Sequence, residues 1–152
     1  MDADLDALIR RVEAYIQLIN TDLDPQLTTL LHRYICILFT ANIDKAVQII
    51  LTEFARIHGT EELRRFVSKK HTRGTNYNTE RIVQTLNYFD SDWGKRFLED
   101  ATRTGLKEQI DAMYGIRNSI SHGEVVNISR PTLDGYNQAH RNAIKVIKEI
   151  VL

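Results

Sequence analysis

The run DPQLTTLLHRYICILFTANIDKAVQIILTEFARIHG, residues 24–59, carries the start and stop chemistry of one long helix. Asp24 offers an N-cap oxygen to backbone N–H groups that lack partners in a first turn, and Pro25 stands where its missing N–H costs nothing. Up to the stop at His58-Gly59, the residues Leu27, Leu30, Leu31, Tyr34, Leu38, Ala41, Ala46, Val47, Ile50, Leu51, Phe54 and Ile57 fall on or near one face. The spacing predicts a helix of about 33 residues, roughly 50 Å long at ~1.5 Å per residue. Apolar residues cover more than one of its sides, so its place is the centre of a bundle.

The flanks keep the same helical period. Leu5, Leu8, Ile9, Val12, Tyr15, Ile16 and Ile19 form a stripe before the long helix. After it, Thr60-Glu61-Glu62 reads as a cap with acids in the first turn of a short helix to about Ser68. Lys69 to Asn78 is polar, contains Gly74 and lacks a period, so it reads as the one substantial loop. Asn78-Thr79 caps a helix with Ile82, Val83, Leu86 and Phe89, and Asp90-Ser91-Asp92 caps a short segment with Trp93, Phe97 and Leu98.

A further helix is expected from Thr104, with Leu106, Ile110, Met113, Tyr114, Ile116 and Ile120 facing inward and Gly123 at a left-handed C-terminal position. Pro131 and Thr132 open the last helix, whose stripe is Leu133, Tyr136, His140, Ala143, Ile144, Ile147, Ile150 and Val151. Outside Val125 to Ile128 no strand pattern occurs. One all-α domain over residues 1–152 follows, a bundle of four to five main helices around a long second one.

Composition narrows the class. A chain of 152 residues fits one domain with a real core, and 43% hydrophobic with 26% charged residues is ordinary for a soluble globular protein. The acidic start Met1-Asp2-Ala3-Asp4-Leu5-Asp6 lacks the basic and apolar parts of a signal peptide. Arg33, Asp44 and Lys45 interrupt the longest apolar stretch, which argues against a membrane span. The single cysteine, Cys36, lies in an apolar run and reads as a buried thiol. A reducing, cytoplasmic setting is the expectation. His32, His58 and His71 have no partner at metal-ligand spacing, so no metal and no cofactor is expected.

Basic and acidic residues balance at 20 each, against the basic excess usual in a dedicated nucleic-acid binder. The balance is uneven: Arg64 to Arg73 carries five cations and no acid. No short helix has the basic, polar face a helix-turn-helix regulator would place in a groove.

Tyr114-Gly115-Ile116-Arg117-Asn118-Ser119-Ile120-Ser121-His122-Gly123-Glu124 sets a fixed cation, an amide and a near-neutral titrating group at a helix end. The bare Arg-to-His spacing says little, since Arg64 and Arg65 stand at similar spacing from His71. Context separates them: Arg117 to His122 closes a well-patterned helix, whereas His71 lies in the polar loop. At about 100° per residue, Asn118 and His122 share a face while Arg117 points about 140° from His122. All three act together if the helix loosens near Ser121, if Arg117 reaches around it, or if a second subunit contributes.

Arg117-Asn118-Ser119-Ile120-Ser121-His122-Gly123 resembles the Arg-Asn-x-x-x-His signature of the HEPN superfamily, the higher eukaryotes and prokaryotes nucleotide-binding domains. The long helix with Ala41-Asn42-Ile43-Asp44-Lys45, and Asn78 through Phe89 followed by Trp93, are similar to the RiboL-PSP type of HEPN protein. The resemblance covers essentially the full chain.

It implies a metal-independent endoribonuclease, a toxin or defence component, acting on RNA as a homodimer that pairs two motif helices. It implies Arg117, Asn118 and His122 as the catalytic set, with RNA 2′-hydroxyl attack leaving a 2′,3′-cyclic phosphate. Asp44 and Lys45 on the long helix, with Ser121 and Glu124 beside the histidine, are candidate supporting or RNA-contacting residues. The other reading is a non-catalytic HEPN module for dimerisation or nucleotide binding, either an antitoxin or a partner of a nucleotidyltransferase. A nuclease of this kind would itself have a cognate antitoxin or nucleotidyltransferase as partner.

Overall fold

A computed structural model describes residues 1–19, 22–70 and 76–152, leaving out the side chains of Ser68 and Lys70. Among the described residues seven helices run in chain order: α1 (Asp2–Leu18), α2 (Pro25–His58), α3 (Glu61–Lys70), α4 (Thr79–Asn87), α5 (Ser91–Thr104), α6 (Leu106–Ser121) and α7 (Arg130–Val151). Among the described residues there is no strand, and Val125 to Ile128 has no regular secondary structure. The all-α class stands, with more helices than the four to five expected. Lys69 and Lys70 belong to α3 and not to the expected loop. His71 and the rest of residues 71–75 lie outside the described residues, and the Arg64, Arg65 and His71 grouping with them.

α2 is the centre, packing on α7, α6, α1 and α3. Its start is as read: the Asp24 side chain accepts the N–H groups of Gln26 at 2.8 Å and Leu27 at 3.1 Å. Ile35, Phe39, Ile43, Ile50 and Leu51 are sealed from solvent, each burial worth roughly 1.5–3 kcal/mol. The first half of α2 turns a different face inward from the one the spacing indicated. Leu27, Leu30, Tyr34 and Ala41 are exposed, while Ile35, Cys36, Phe39 and Ile43 are buried. A helix apolar on several sides does not declare which side is covered, because tertiary packing chooses it. An 18-residue window of α2 is apolar enough to cross a membrane by length and composition, but 61% of it is buried in the bundle. That apolar surface is the core of the fold, and burial pushes the Cys36 thiol up to about 12.

Thr104 ends α5 instead of opening α6. Its hydroxyl donates to the Asp100 carbonyl at 2.8 Å, and Gly105 turns the chain at φ 71° before Leu106. Ser129 caps α7 by accepting from the Thr132 N–H at 3.2 Å, with Pro131 in the first turn as expected. α2 also grips the chain beyond α6. His32 Nδ1 lies 2.6 Å from the Ile128 carbonyl, and Arg33 Nε donates to the Val126 carbonyl at 2.7 Å. His140 is a core residue, its ring tilted 35° against Phe39 with centroids 5.2 Å apart and with Nε2 3.5 Å from the Asn42 amide.

Candidate active site

α6 remains a regular helix through Ser121, so the motif does not loosen. Its end is a closed turn: Gly123 has φ 79°, its N–H donates to the Ile120 carbonyl at 3.0 Å, and the Glu124 N–H donates to the Ser119 carbonyl at 3.0 Å. This pair of bonds satisfies two orphan carbonyls and needs a left-handed residue at Gly123. The Ser121 hydroxyl donates to the Asn118 carbonyl at 2.7 Å, an added brace on the last turn.

Arg117 points at α2. One guanidinium nitrogen bonds the Asn76 side-chain oxygen and stands 4.0 Å from an Asp44 carboxylate oxygen. Asp44 is the hub of this cluster. It accepts the Tyr114 hydroxyl at 2.6 Å and the Tyr77 N–H at 3.0 Å, and Tyr114 also reaches the Thr40 carbonyl at 3.2 Å. Burial pushes the Asp44 carboxyl above its ordinary range, opposed by the bonds from Tyr114 and Tyr77 and by the Arg117 charge. Burial and the neighbouring carboxylate raise the Tyr114 phenol, so it stays a proton donor to Asp44.

Asn118 and His122 lie on the other side of α6, both exposed. Among the described residues no hydrogen bond joins the side chains of Arg117, Asn118 and His122. Of the candidate supporting residues, Asp44 joins the motif and Ser121 braces its backbone. Glu124 contributes its N–H to the helix end and exposes its side chain. Lys45 does not join it: a single residue step turns it about 100° from Asp44, and its ammonium donates to Gln48 at 2.9 Å. The basic run is partly neutralised, because Arg64 and Arg65 both pair with Glu61 within α3.

The sequence reading gave Asn76 and Tyr77 no role and Tyr114 only an inward-facing place, without its bond to Asp44. Tyr114 carried a signal, since a tyrosine three residues before Arg117 lies one turn away on its side of the helix. Asn76 and Tyr77 carried none, as their role depends on how the chain before α4 crosses α2.

The model of the RiboL-PSP-HEPN family matches residues 3–152. The chain belongs to this family. No curated protein and no solved structure matches it. HEPN membership points to an RNase or a nucleotide-binding module, and the geometry bears on which. The HEPN motif here presents an anchored cation on one side of α6 and an amide and imidazole on the other. Among the described residues, no group of His, Cys, Asp and Glu is arranged to hold a metal ion.

Proposed function

We propose that the protein is a metal-independent endoribonuclease, a toxin or defence component of the cytoplasm, whose site is completed across a two-fold dimer. In this reading the RNA 2′-hydroxyl attacks the adjacent phosphorus and the 5′-oxygen leaves, giving a 2′,3′-cyclic phosphate and a 5′-hydroxyl. His122 transfers the proton, an effect worth about 10²–10⁴-fold. Arg117 neutralises the non-bridging oxygens as charge builds on them, and Asn118 orients the phosphate or the imidazole. Asp44 and Asn76 hold Arg117 in place while its other N–H groups stay available.

The observation that carries the dimer is the intact α6. Arg117 is anchored about 140° around the helix from His122, so a pair on one substrate draws its members from two copies. Exposed apolar residues are compatible with the same view: Leu27, Leu30 and Tyr34 on one face of α2, and separately Val125, 80% exposed in the chain after α6. Incubation with single-stranded and structured RNA in EDTA tests the chemistry. Wild type is expected to cut, leaving cyclic-phosphate ends, and His122→Ala and Arg117→Ala to cut far less. A wild type that cuts nothing, or variants that cut equally well, would end this reading.

One observation favours the non-catalytic module. The Arg117 charge is offset by Asp44, and the chain as a whole has net charge zero. RNA bound without cleavage, or dimerisation without RNA binding, is what that reading expects.

A further inference from the structure

Glycine inside a helix weakens it relative to alanine, so each such residue asks for a reason. Gly94 in α5 has one in packing: a methyl group there would sit 2.8 Å from the Val83 carbonyl and closer still to the Asn87 amide. Gly115 in the middle of α6 and Gly135 in α7 have no such reason, and of the two it is Gly115 that borders a cavity. A methyl group at Gly115 would meet nothing within 4 Å outside its own helix. The bare backbone instead faces a cavity of about 510 Å³ between α4, α5 and α6, within the size range of small-ligand sites.

The lining has a definite chemistry. Val83 and Leu98 supply apolar walls, and Asn118 stands among the polar groups. Glu80 and Asp111 supply two carboxylates against one cation, Lys107, which already lies 3.4 Å from Asp111. Asp111 Oδ1 is engaged by the Thr79 N–H at 3.0 Å, and Glu80 accepts from Gln84 at 3.0 Å, which leaves lone pairs on both carboxylates. Excess negative charge repels a phosphate and suits an uncharged group that donates N–H bonds. At about 100° per residue, Asp111, Gly115, Asn118 and His122 fall within about 60° of one another, so the cavity opens along the helix face that carries the histidine.

We propose that this cavity is a nucleobase subsite, in which a base of the RNA lies over the bare helix at Gly115 between Val83 and Leu98. Its exocyclic amino group donates to Asp111 or Glu80, so adenine, cytosine and guanine are preferred to uracil, which has no such group. The inference rests on the endoribonuclease reading and names the part of the substrate that its site selects.

Short 2′-O-methyl oligo(A), oligo(C) and oligo(U), which cannot cyclise, report binding separately from cleavage. Wild type is expected to bind oligo(A) or oligo(C) about tenfold more tightly than oligo(U), the scale of one good polar base contact. Gly115→Leu fills the cavity and erases that difference, with solution mass unchanged. Gly115→Ala raises the melting temperature while weakening the preferred oligomer. Equal binding of all three by wild type, no binding at all, or a preference retained in Gly115→Leu overturns the proposal. So does a dimer split by Gly115→Leu, which would assign this face to a second copy. Base preference without cleavage of ordinary RNA defeats the nuclease reading alone, and cleavage with indifferent binding defeats the subsite alone.

Discussion

The Asp44 carboxylate on α2 and the Arg117 guanidinium on α6 face each other at 4.0 Å, with Tyr114 donating to the same carboxylate at 2.6 Å. This pair ties the first residue of the motif to the central helix, so the direction of Arg117 is a property of the core.

Asp44→Ala is expected to lower stability by about 1–3 kcal/mol, because it removes the acceptor of two hydrogen bonds, from the Tyr77 N–H and the Tyr114 hydroxyl. The Tyr77 N–H loses its acceptor, while Tyr114 keeps the Thr40 carbonyl at 3.2 Å. Asp44→Asn retains an acceptor and should cost less. Urea denaturation of both variants checks the order, and an Asp44→Ala protein as stable as wild type would deny the carboxylate this role. RNA cleavage should fall in both as Arg117 loses its charged partner and keeps Asn76.

His140 makes stability depend on pH. Burial lowers its imidazole to about 4, against ~6.5 in an unfolded chain. Above ~6.5 it is neutral in both states and contributes no pH dependence. As pH falls toward 4, the unfolded chain takes up a proton that the folded one refuses, and stability drops by at most about 3 kcal/mol. Denaturation at pH 7 and pH 5 should show this fall in wild type and much less of it in His140→Leu. An identical pH slope in the variant would place the effect elsewhere.

Two glycines of the motif segment should respond with opposite signs. Gly123 holds φ 79° in the turn closing α6, so Gly123→Ala should destabilise by about 1 kcal/mol. Gly115 is helical and open, so Gly115→Ala should stabilise by about 1 kcal/mol. Thermal melts of the two variants, each shifted by about 3 °C in its own direction, are the check.

Where a local rule fixes a structure, these residues announced it. Asp24 and Pro25 open α2, Gly59 closes it, and Gly123 ends α6, because capping depends on the few residues present. The same logic misplaced the start of α6. Thr104 resembles an N-cap, but its hydroxyl turns back to Asp100 and Gly105 makes the break. Which side of α2 is covered, and that Asp44 meets the motif while Lys45 does not, depend on helices far along the chain. The mismatch in direction between Arg117 and His122 was legible from the helical period, and α6 keeps that period through Ser121. Asn76 and Tyr77 were not legible, since no spacing brings residues 76 and 77 to Asp44.

The central claim is that Arg117 of one copy works with His122 of another. Mixing Arg117→Ala with His122→Ala protein under conditions where subunits exchange tests it most directly. Each mixed dimer then holds one intact composite site, so RNA cleavage should return to about a quarter of wild type when half the dimers are mixed. A mixture as inactive as either variant alone, with exchange verified by mass, would contradict it.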